Sequence, residues 1–215
     1  LTSQLPGTAT DTSAGIVELA TAAEVATGTD ASRVASVSLM PKTLIATGTA
    51  SSSSAVEFTG LTSTYTSYEF QISNFVPTND NAEFIVQYFI SGVWVTSNYV
   101  YSGIYIVAPD SALTGYGSGG DTLICASGPT GGSGYAVSNT ASEGGVGGVV
   151  VVQSPSSSSR TNMTGHVCYP SATNARGSLT TISGSNTSTT ACTGVRFLFH
   201  AGNVASGTVK CFGLR

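Results

Sequence analysis

The chain has 215 residues, of which 40% are hydrophobic and only 8% charged, with a formal net charge of −4. Its 7 Lys and Arg are scattered singly among 11 Asp and Glu, which excludes the clustered cations that nucleic acid or a polybasic membrane anchor requires. The longest apolar run, residues 144–153, falls short of the roughly 20 residues of a spanning helix.

Solubility must therefore come from hydroxyls, amides and backbone, a composition that suits rigid extracellular or virion β structures. The length is enough to bury a real core. The chain opens on Leu1 rather than Met, which points to processing or to a longer parent chain.

Residues 1–14 lack periodicity and read as a polar, extended lead. Residues 15–20 alternate weakly. Thr21 and Glu24 have the spacing of a capping box, in which hydroxyl and carboxylate satisfy each other's backbone donors, and Gly28 is a helix stop. A second short helix follows over residues 29–44, with Pro41 tolerated only near a first turn. Helices this short cannot bury a core alone and must pack on something else. The division is an N-terminal module at 1–45 and a β domain at 46–215.

From residue 47 the pattern changes. Tyr68, Phe70 and Ile72 alternate with Glu69, Gln71 and Ser73, the period of a half-buried strand. Phe84, Val86, Tyr88 and Ile90 share one face. Ile85 and Phe89 make the other partly apolar, which predicts a central strand. Further strands are predicted at 56–60, 92–97, 98–107, 121–126, 134–139, 148–153, 161–169, 176–183, 194–200 and 207–215. Ser-rich residues 50–55 and 154–160 read as loops, and the glycine-dense 115–148 as long loops or a sheet edge. Many short strands punctuated by turn residues predict a mainly β fold, an antiparallel jelly-roll-like sandwich preceded by a short helical module.

Tyr99, Tyr101 and Tyr105 fall on one face of the 98–107 strand, and Val100, Ile104 and Ile106 on the other. Trp94, the only tryptophan, is grouped with the tyrosines. With the aliphatic side taken as core, an aromatic strip faces outward, suited to carbohydrate or to subunit contacts. The other reading of these rings is a second core face or a threefold interface.

Catalytic patterns are weak. Residues 115–120 match G-x-G-x-x-G, but no βαβ unit follows, so the glycine-rich loop reading stands. His166 and Cys168 share a strand face, with Cys168 read as inward. His200 is read as solvent-facing alongside Arg196. The acids of the β domain form no local pair for acid–base work. Cys125, Cys168, Cys192 and Cys211 lack the short paired spacings of structural zinc and read as buried thiols, with one or two disulfides left open. The expectation is a protein with no enzymatic activity, cofactor or metal.

Residues 14–44 resemble a module of bacteriophage tail fibres and other virion fibres, A-G-[IL]-V-E-L-A-T, then Glu, then G-T-D-x-x-R. The match runs through Ala14, Gly15, Val17, Glu18, Leu19, Ala20, Thr21, Glu24, Gly28, Thr29, Asp30 and Arg33. Residues 210–214, Lys-Cys-Phe-Gly-Leu, are similar to the closing strand of sandwich domains on phage minor tail and fibre proteins. The resemblance implies a homotrimer on the virion surface, with Ile16, Val17, Leu19 and Val34 near the axis or against a neighbour. It implies a tail fibre or receptor-binding protein; the outward aromatic strip of Trp94, Tyr99, Tyr101 and Tyr105 is then the expected contact with a host-surface glycan. The alternative is a structural head fibre, decoration or adaptor protein among other virion proteins. Neither implies nucleic-acid binding or membrane insertion.

Overall fold

Alternation at residues 67–77 becomes a strand because Tyr68, Phe70 and Ile72 can all be buried only if the backbone is extended. The computed structural model describes residues 42–108, 112–128, 136–153, 155, 157–172 and 177–215. The helical reading of 15–44, with Ile16, Val17, Leu19 and Val34, lies outside the described residues as far as residue 41, and its last three residues, 42–44, form the start of a strand instead.

The chain divides into compact units Leu1–Thr43 and Leu44–Arg215. The described residues are mainly strand: β1 (Lys42–Ser53), β2 (Val56–Thr59), β3 (Ser67–Pro77), β4 (Phe84–Ile90), β5 (Val93–Trp94), β6 (Tyr99–Val107) and β7 (Thr114–Asp121). They continue with β8 (Ile124–Cys125), β9 (Val146–Gln153), β10 (Asn162–Pro170), β11 (Gly177–Asn186), β12 (Cys192–Phe199) and β13 (Val204–Leu214). An eight-stranded sheet runs β1-β13-β3-β9-β10-β11-β6-β7; a five-stranded sheet runs β2-β12-β4-β5, with β8 also on β4. From β13 to β7, and throughout the smaller sheet, the strands pair antiparallel.

The inner faces of both sheets meet in one hydrophobic cluster, which makes the fold a β-sandwich. Phenylalanines knit it: Phe70 of β3 lies 5.3 Å from Phe58 of β2 and 5.1 Å from Phe197 of β12. Phe75 of β3 meets Phe84 of β4 edge-on at 5.5 Å. Each such ring contributes roughly 1.5–3 kcal/mol by burial, and each well-placed pair about 0.5–1.5 kcal/mol more. β4 is central, as its two apolar faces predict, lying between β12 on one side and β5 and β8 on the other. Ser91 and Gly92, with φ of 54° and 80°, form the two-residue turn into β5. Positive φ at both positions matches the twist of the strands they join.

Five readings are corrected. Tyr99, Tyr101 and Tyr105 are buried, at 0%, 7% and 5% exposure, while Ile104 is 47% exposed: the aromatic side of β6 is the core side. Tyrosine carries more apolar area than valine or isoleucine, and here the phenols find partners inside, so burying them is the better solution. The Tyr99 hydroxyl donates to Val95 O at 3.2 Å, and the Tyr101 hydroxyl to Asp121 Oδ2 at 3.2 Å. Trp94 belongs to the other sheet and shares no strip with them.

Cys168 is exposed rather than inward, because β10 alternates strictly and places Val167 and Tyr169 in the core. The first strand starts at Lys42 and includes Ser51–Ser53, which pair as an edge instead of looping. Residues 136–139 contribute only bridges from Val137 to Ala82 and Ser171.

Candidate functional site

The outer face of the larger sheet is built by three neighbouring strands, β10, β11 and β6, which mix polar outward positions with aliphatic ones, Leu179 on β11 and Val100, Ile104 and Ile106 on β6. On β10 the polar ones are Asn162, Thr164 and His166, all exposed between the buried Met163, Gly165 and Val167. Register then sets them in rows. Asn162 pairs with Ser185 and that with Val100; Thr164 with Ser183 and Ser102; His166 with Thr181 and Ile104. β7 closes the flank with Gly119, Gly117 and Gly115 opposite Val100, Ser102 and Ile104. A flank without side chains leaves that side of the surface open to a ligand.

Two hollows occupy this surface. One, of about 300 Å³, is lined by Val100, Ser102, Asn162, Ser183 and Ser185 among others. The second, of about 600 Å³, is lined by Ser102, Ile104, Thr164, His166, Thr181 and Ser183 among others. Neither lining contains Lys, Arg, Asp or Glu. His166 Nδ1 lies 3.1 Å from Thr181 Oγ1, which orients the imidazole across the strands. Its position depends on Gly148 of β9: φ there is +151°, and a Cβ would run into the His166 carbonyl. Ile104, and Leu179 further along β11, supply exposed apolar surface on this face.

The structure does not bring the sequence-predicted ligand residues together at the surface. The tyrosines are core. Trp94 is half-buried on the outer face of the smaller sheet, 5.0 Å from Phe89 and 4.8 Å beneath the Arg196 guanidinium. The hydroxyl rows were missed because Ser and Thr are abundant everywhere. Their signal was the alternation at 161–169, read only as a strand; at 178–183 polar residues fall on both faces and carry no such signal.

Chemically, the face offers hydroxyls, an amide and an imidazole, groups that donate and accept hydrogen bonds. Three of the four thiols are hidden. Burial pushes the thiols of Cys125 and Cys211 up to about 12 and that of Cys192 up to about 11. Exposed Cys168 donates to Gly147 O at 3.4 Å. His200 is exposed, as expected, with Nδ1 3.3 Å from Glu83 Oε2. Among the described residues no three His, Cys, Asp or Glu are grouped to hold a metal ion. No family model, curated protein or solved structure matches this chain.

Proposed function

We propose that this protein is a bacteriophage virion fibre protein, a tail fibre or receptor-binding protein, that attaches to a host-surface glycan and catalyses nothing. The observation that carries the binding role is the hydroxyl-lined hollow surface over β10, β11 and β6, with no Lys, Arg, Asp or Glu in either lining. Small-molecule sites are concave and combine apolar area with a few converging polar groups. This face has that composition, and it replaces the tyrosine strip as the contact.

The virion placement rests on the resemblance of residues 14–44 to fibre modules. In that setting residues 1–45 hold a homotrimer, with Ile16, Val17, Leu19 and Val34 buried between chains. The β domain, whose chain crosses repeatedly between the two sheets in the manner of a jelly roll, is the displayed part. Three copies of a weak site on one particle bind far more tightly than one.

The test is adsorption of the purified full chain to host cells, comparing wild type with Thr181→Trp, which fills the larger hollow from an outward position. Loss of adsorption with an unchanged melting temperature supports the reading. A folded variant that adsorbs normally moves the contact elsewhere. A wild-type chain that never adsorbs makes it a structural head fibre, decoration or adaptor protein.

A further inference from the structure

Resting on the attachment reading, we infer that the ligand is an extended, uncharged oligosaccharide lying along β10 and β11, with successive sugar units in two joined subsites. The hollows are not separate: Ser102 and Ser183 line both. They face each other in register across β6 and β11, so they form the waist of one groove. The smaller hollow lies toward Asn162 and the larger toward His166, which displaces the two along the strands rather than across them. From Asn162 to His166 is four residues of β10, roughly 13 Å at about 3.3 Å per residue. That length suits a short chain of rings better than a single one.

The chemistry selects the class. With no Lys or Arg in either lining a phosphate, sulfate or uronate meets no permanent cation, and with no Asp or Glu an amino sugar meets no anion, so a neutral ligand loses less solvation there. Serine and threonine hydroxyls and the Asn162 amide both donate and accept, as sugar hydroxyls do. The exposed side of Ile104 meets the apolar C–H face of a ring. A peptide is the poorer fit. Strand addition needs a free sheet edge, and β10 and β11 are paired on both sides.

The experiment measures binding of the full chain to an array of neutral and anionic bacterial oligosaccharides of graded length. The proteins are wild type, Asn162→Trp and Ser183→Trp, all three checked by thermal melting. Expected is binding to neutral members, with a gain of about tenfold or more as the ligand grows into the second hollow. Asn162→Trp should abolish that gain and leave the shortest ligands unaffected; Ser183→Trp should abolish both. Equal binding of short and long ligands, or preference for anionic ones, overturns the inference and leaves attachment standing. No glycan bound by a chain that still adsorbs to cells overturns the glycan in both. A lower oligomeric state in folded Ser183→Trp, without glycan binding in the wild type, shows that a second copy occupies the face.

Discussion

The phenol of Tyr99, on the larger sheet, accepts the backbone N–H of Tyr88, on the smaller, at 2.7 Å. The rings cross at 63° with centroids 5.7 Å apart. One side chain thus spans the sandwich and satisfies a strand donor in its middle. Tyr99→Phe keeps the ring and removes the acceptor, so it should cost about 1–3 kcal/mol, the price of a buried N–H without a partner. Tyr99→Ala adds a cavity and should cost about 3–5 kcal/mol. Urea denaturation of the two variants checks both figures. A stable Tyr99→Ala that loses host adsorption would return the ring to the surface.

That relationship also shows what sequence could and could not convey. Strand positions were legible where apolar and polar residues alternate, as at Tyr68, Phe70 and Ile72 or Phe84, Val86 and Tyr88. The side of β6 facing the core was not. Tyr99, Tyr101 and Tyr105 compete there with Val100, Ile104 and Ile106, and only tertiary partners for the phenols decide it. Asp121 Oδ2 and Val95 O are distant or undirected in sequence. The hydroxyl face had the same difficulty: Thr164, Ser183 and Ser102 are ordinary residues until register places them side by side.

The four cysteines are free, and Cys168 alone of them is exposed. Titration of the native protein with a thiol reagent near neutral pH should therefore modify one thiol quickly, and four after denaturation. Cys168→Ser should remove the fast phase and leave melting unchanged. A native protein showing no reactive thiol would mean that a partner or a disulfide covers Cys168.

Alkaline pH should unfold the protein through the buried thiols and phenols. Burial raises Cys125, Cys192 and Cys211 above the ordinary thiol value of 9.0, and Tyr88 and Tyr99 above the ordinary phenol value of 10.0. A group raised in the folded state keeps its proton there while the unfolded chain has lost it. Its stabilisation is full below the unfolded value and falls as pH climbs toward the folded one. The melting temperature should hold steady up to about pH 9 and then decline, most steeply between about 10 and 12. Cys125→Ala and Cys192→Ala should each shallow the onset of the decline near pH 9. A flat profile through that range would mean the thiols are accessible.

Trp94 is expected to matter for stability rather than for attachment. Its ring lies under the Arg196 guanidinium, whose Nε and Nη2 donate to Gln87 Oε1 at 3.0 and 2.8 Å and whose Nη1 donates to Glu57 Oε1 at 3.3 Å. Gln87 in turn donates to Thr122 O at 3.1 Å, so the indole covers a polar chain reaching from β2 across β12 and β4 to the loop after β7. Glu57 is exposed, and its ion pair alone contributes little. The cation–π contact contributes about 0.5–2 kcal/mol and the Phe89 pair about 0.5–1.5 kcal/mol. Trp94→Ala should then lose about 1–3 kcal/mol in urea while host adsorption of the folded protein stays unchanged. Arg196→Lys keeps the charge but not the planar fork that serves Gln87 and the ring together, so it should lose a substantial part of the same stability. Full stability in Trp94→Ala together with lost adsorption would instead place the receptor contact on the smaller sheet.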